Sequence, residues 1–157
     1  MAQVEWPEIN AAWGQTLLLL STVAEKIKFT FEGYRLKPMG SVSKIEKVET
    51  HHRGETRVSG LQLYSSGDLP LGRIFMHSKI DNAMVAFLDC LKQMGEFVEA
   101  QDSNVKMPYT IVKDKIGDAG IRLGFNQDEE WTKACKYTLT CAKFLLAYAS
   151  NTRSINA

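Results

Sequence analysis

Apolar positions along the chain fall into three stretches of helical period, separated by stretches that alternate or break. Ile9, Trp13, Thr16, Leu17, Leu20, Val23, Ala24 and Ile27 recur at three- and four-residue steps, which predicts a helix from Trp6-Pro7-Glu8 to about Lys28. Pro7 is tolerated in the first turn because its missing N–H has no intrahelical partner there. Leu18 and Leu19 fall off the stripe, so this helix is expected to be the most enclosed of the three. Ile80, Met84, Phe87, Leu88 and Leu91 predict a second helix, started by Ser78-x-x-Asp81 and running to about Ala100. Trp131, Ala134, Cys135, Thr138, Ala142, Leu145 and Ala149 predict a third, opened by Asn126 and the acidic run Asp128 to Glu130, and followed by a frayed tail from Ser150.

Between the helices the period changes to two. Phe29 to Glu32 alternates, and the parity slips at Gly33, which predicts a bulge there. Pro38-Met39-Gly40 turns the chain, Val42 to Val48 predicts a weaker strand, Glu49 to Gly60 reads as a polar mobile loop, and Leu61 to Tyr64 alternates again. Val105, Met107, Tyr109 and Ile111 alternate with Pro108 at an edge, and Ile121, Leu123 and Phe125 supply a partner strand across a turn at Lys115 to Asp118. Strands paired locally between helices define an α+β chain of repeated strand-pair and helix units, not the βαβ alternation of a parallel sheet.

The segment Leu69 to Ser78 does not fit either period. Pro70 and Gly72 punctuate a loop that then presents Ile74, Phe75 and Met76 in succession, and three adjacent side chains cannot share one face of a strand. Two accounts stand on the residues alone: a short strand buried on both faces, or a loop tip that enters a membrane or a partner groove.

Composition narrows the function classes. At 157 residues and 45% apolar content the chain can bury one core, and nineteen basic against eighteen acidic residues leave no global field for nucleic acid or anionic lipid. Any membrane contact must rest on apolar insertion or a local patch. Cys90, Cys135 and Cys141 sit in helical patterns with no paired spacing, as reduced core residues of a chain that is intracellular or faces the cytosol. Leu17 to Leu20 is far shorter than a bilayer span. His51-His52 lacks the spacing that aims two nitrogens at one metal, His77 stands alone, and Lys133, Lys136 and Lys143 read as a solvated face. No nucleophile, base and orienting group assemble, no glycine pattern for a phosphate or dinucleotide follows a strand, and no cofactor is implied; the chain reads as a non-enzyme.

The strings Glu8-Ile9-Asn10-Ala11-Ala12-Trp13-Gly14-Gln15-Thr16, Asp81-Asn82-Ala83-Met84-Val85-Ala86-Phe87-Leu88-Asp89-Cys90 and Phe125-Asn126-Gln127-Asp128-Glu129-Glu130-Trp131-Thr132-Lys133-Ala134 resemble the C-terminal domain of the beclin family, over nearly the whole chain from Val4 to about Tyr148. The resemblance implies three sheet-plus-helix units around a pseudo-threefold axis, in a non-catalytic subunit of the class III phosphatidylinositol 3-kinase complex. It also implies lipid-membrane binding, and partnership with that kinase, its regulatory pseudokinase and a coiled-coil sibling subunit. The implied location is cytoplasmic, peripheral on endosomes, on the vacuole or lysosome and on autophagosome precursors.

The resemblance further implies a membrane-inserting loop, which in the animal members is an aromatic finger. Ile74, Phe75 and Met76 occupy that place here, flanked by Arg73 and Lys79, with one aromatic among the three and a longer approach through Asp68 to Gly72. The family's first unit carries strands ahead of its helix, whereas this chain starts at the helix. The reading is therefore of a single domain without those strands, part of whose first helix is bare and covered by self-association.

Overall fold

The computed structural model describes residues 4–66 and 73–155, with the side chains of 73–76 and 152–155 outside the description. Three helices, α1 (Trp6–Ile27), α2 (Arg73–Gln101) and α3 (Asp128–Ile155), alternate with two antiparallel three-stranded sheets. The first sheet, β1 (Tyr34–Lys37), β2 (Lys44–Thr50) and β3 (Thr56–Gln62), precedes α2, and the second, β4 (Ile111–Val112), β5 (Lys115–Ile116) and β6 (Ala119–Gly120), precedes α3. The sheet-then-helix repeat and the α+β class follow the sequence pattern.

Several boundaries move, each because another partner takes the backbone. Phe29 to Glu32 is not a strand. Lys28 closes α1 in the left-handed region (φ 56°), the Phe29 N–H donates to the Ala24 carbonyl, and both backbone groups of Glu32 are taken by the amide of Gln93 on α2, at 2.8 and 3.0 Å. Phe29 packs instead between Phe31 and Phe97. Gly33 is a bend at φ 79° just ahead of β1 and not the expected bulge: the β1–β2 register runs one to one, and the Gly33 carbonyl accepts the Val48 N–H.

The polar stretch from Glu49 to Gly60 is mostly ladder, not loop: Thr50 to Lys44 pair with Thr56 to Gln62 in register, and only 51–55 turn. That end of the hairpin stands clear of the core and is wet on both faces, so no alternation marks it. Val105 to Ile111 does alternate in burial but pairs only at its end, because the Met107 N–H goes to the Glu99 carboxylate on α2. Ile121 and Leu123 are buried without forming a strand, Phe125 is exposed, and α3 starts at Asp128 and continues through the expected tail to Ile155.

α2, not α1, is the most enclosed helix. Ala83, Met84, Ala86, Phe87, Leu88, Cys90, Leu91 and Met94 are all buried and leave one outward stripe, on which Asn82, Lys92 and Glu96 are exposed, since the helix lies against the first sheet, both other helices and β4. α1 packs mainly on α3, and Leu18 remains 55% exposed.

Candidate functional site

α2 begins at Arg73, a turn and a half before the expected start at Ser78, so Arg73, Ile74, Phe75 and Met76 occupy its first turn and not a strand or loop. Their side chains, and residues 67–72 before them, lie outside the described residues. Lys79, the other flanking cation, is exposed on the same helix. Asp81 does not close a capping box. Its carboxylate reaches across the fold and accepts the backbone N–H groups of Leu123 at 2.8 Å and Gly124 at 2.9 Å, so the expected helix-start signal is spent on tertiary structure. Burial pushes the Asp81 carboxyl above its ordinary value, while those two N–H groups and the charges of His77 and Arg122 pull it back.

Described residues fasten this helix start to the body. His77 is buried, with its ring stacked on Trp6 at 5.4 Å between centroids, and Ile80 is buried one turn on. The chain entering the segment is held at Ser65, whose backbone N–H and carbonyl are both taken by the amide of Asn10 on α1, at 3.0 and 2.8 Å. The segment that carries the three apolar residues is thus pinned on both sides to the first two turns of α1. The sequence reading missed Asn10, a polar position inside a helical pattern.

Other candidate groups are dispersed. His51 and His52 are exposed in the β2–β3 turn, and among the described residues no His, Cys, Asp and Glu cluster is placed to hold a metal. Burial holds the thiol of Cys135 up to about 12 and shifts those of Cys90 and Cys141 upward as well, so none is poised as a thiolate. No helix of the described residues is long and apolar enough to cross a membrane. Along α1 and α3 runs an open, mainly apolar groove of about 240 Å³. Ile9, Trp13, Trp131, Cys135 and Leu139 line it.

An α+β domain of sheet-then-helix units, with a polar clamp at Ser65 and a ring stack at His77 on either side of an apolar helix start, is the class the fold defines. The model of the Apg6 BARA domain matches residues 1–151, and the chain belongs to that family. It is 52% identical to vacuolar protein sorting-associated protein 30 of Gibberella zeae over 96% of this chain and 34% of that protein. It is 48% identical to vacuolar protein sorting-associated protein atg6 of Schizosaccharomyces pombe, covering 95% and 32%. With Beclin-1 of Xenopus tropicalis the identity is 45%, over 94% and 33%. The chain spans about a third of the length of these curated relatives.

Proposed function

We propose that this chain is a non-catalytic regulatory domain that docks a class III phosphatidylinositol 3-kinase complex on membranes, for autophagy and for vacuolar and endosomal sorting. The supporting observation is the helix start at Arg73 to Met76, an apolar triplet between the cations Arg73 and Lys79, fixed to the body through Asn10–Ser65 and Trp6–His77. Family membership gives the setting, since relatives are named for vacuolar protein sorting.

Full burial of a side chain such as Ile, Phe or Met is worth roughly 1.5–3 kcal/mol, so partial insertion of three supplies about 3–6 kcal/mol. That is weak alone and effective when added to the other membrane contacts of an assembly, by the logic that makes stable lipid anchoring take two signals. The kinase, its regulatory pseudokinase and a coiled-coil sibling are the proposed partners, met through the whole protein. Replacing Ile74, Phe75 and Met76 by Asp should abolish co-sedimentation with liposomes while the circular-dichroism spectrum stays native. Undiminished binding by that folded variant overturns the proposal. Self-association over the apolar face of α1 and α3 belongs to the same reading: sedimentation velocity should show a coefficient that rises with protein concentration, and a constant one removes it.

The second reading is an interaction module whose apolar triplet serves the assembly without entering lipid. It predicts no liposome binding by the unaltered chain.

A further inference from the structure

The turn joining β1 to β2, residues 38–43, combines features that folding alone does not call for. Met39 and Val42 are 58% and 46% exposed, two large apolar side chains at the tip of a turn. The N–H groups of both are nonetheless hydrogen-bonded. The Met39 N–H donates to the buried Ser43 hydroxyl at 2.8 Å, that hydroxyl donates to the Gly40 carbonyl at 2.7 Å, and the Val42 N–H donates to the Met39 carbonyl at 3.1 Å. Gly40 supplies the left-handed residue at φ 57°, and its carbonyl sits on Gly14 of α1 so closely that a Cβ there would meet the oxygen at 1.9 Å. The tip therefore presents apolar side chains on a loop in which the Met39 and Val42 N–H groups, the Gly40 carbonyl and the Ser43 hydroxyl are already satisfied, which lowers the cost of leaving water.

Charge at the base of the turn points the same way. Lys37 and Lys44 face each other in the β1–β2 register, with Arg35 opposite Glu46 one pair further along that same face. Like charges directly across a ladder destabilise it, and one carboxylate, 4.0 Å from Lys37, stands against three cations. Long cationic stems below an apolar tip can hold their charges at headgroup level while the tip enters the acyl region.

The turn and the start of α2 are both fastened to the N-terminal half of α1. Trp6 carries His77, Asn10 carries Ser65 and Gly14 carries Gly40, a span of eight residues or roughly 12 Å along the helix.

The geometry points to the Pro38–Ser43 turn as a second membrane contact, in which Met39 and Val42 enter a bilayer and Lys37 and Lys44 hold its anionic headgroups. This inference rests on the membrane-docking reading above and adds a separate site to it. A bilayer is favoured over an acidic protein because exposed apolar side chains at the turn stand above cations at its base, the order in which acyl chains lie beneath anionic headgroups.

The test is co-sedimentation with phosphatidylcholine vesicles with and without phosphatidylinositol, using the full-length protein and the same substitutions in each case. Met39→Asp with Val42→Asp should weaken binding to both vesicle types by about tenfold, since two partly inserted side chains are lost. Lys37→Glu with Lys44→Glu should weaken binding to the phosphatidylinositol vesicles alone. Met39→Ser with Val42→Ser removes the apolar surface without adding charge and should give the same direction with an unchanged melting temperature.

Wild-type binding by the folded turn variants overturns the inference, and if the Ile74, Phe75 and Met76 variant still fails to bind, the first proposal survives it. Loss of binding in the turn variants alone, with that triplet variant unaffected, supports the turn and removes the α2 tip. Absence of binding by the unaltered protein overturns both.

Discussion

Three side chains far apart in sequence from what they hold set the positions of the helices. Asn10 clamps Ser65, 55 residues away, Gln93 clamps Glu32, 61 away, and Asp81 clamps Leu123 and Gly124, more than 40 away. None was legible, because a polar residue in a helical pattern signals only a wet face until its partner is known. Asp81 illustrates the cost: its place three residues after Ser78 imitates a helix start, and its carboxylate serves Leu123 and Gly124 instead.

Asp81→Ala strands two backbone N–H groups in poorly hydrated surroundings, at about 1–3 kcal/mol for a fully buried group, so urea denaturation should show a loss of about 2–4 kcal/mol. The pH dependence has a definite sign. The folded carboxyl binds its proton more tightly than the unfolded chain does, so stability should fall as pH rises from 3.8 through the raised folded value. The Ala variant should lack that decline, measured as the difference between the two stability profiles.

At the scale of elements, strong periodicity was readable and weak periodicity was not. All three helices exist where the three- and four-residue spacing put them, although α2 and α3 extend past their expected ends. Strand placement failed wherever a strand lacks a buried face. β3 carries Thr56, Arg57 and Val58 into solvent and is fixed by its ladder with β2, which composition cannot show. The start of α2 takes neither backbone form expected there, a two-faced strand or a loop, since Arg73 to Met76 are helical.

Gly14 marks a close approach of α1 to the β1–β2 turn, and nothing in a helical pattern signals it. Gly14→Ala gains about 1 kcal/mol of helix propensity and loses more, since its Cβ meets the Gly40 carbonyl at 1.9 Å and a backbone must move. A net destabilisation of about 1–3 kcal/mol is expected by thermal denaturation, with slower exchange protection lost first at Val42 and Ser43.

For the molecule as a whole, the near-neutral charge read from composition constrains how membrane docking can work. With nineteen cations against eighteen anions, long-range attraction to an anionic surface is negligible, and the Lys37, Lys44 and Arg35 group against Glu46 supplies only a local field. On the docking proposal, apolar insertion at the α2 start and at the Met39–Val42 turn would then carry most of the binding.

Raising the salt from about 0.1 to about 1 M shortens the screening length from roughly 10 to roughly 3 Å, which would dissociate a purely electrostatic complex. Vesicle binding by this chain should fall by less than about tenfold over that range, and on neutral vesicles it should not fall at all, because salt leaves hydrophobic transfer intact. A steep salt dependence on anionic vesicles, with no binding to neutral ones, would place the driving force in the lysines and not in the apolar tips. The rigid scaffold of two sheets and three helices would then serve to display charge, and the clamps at Ser65 and Gly40 would lose the functional meaning given to them here.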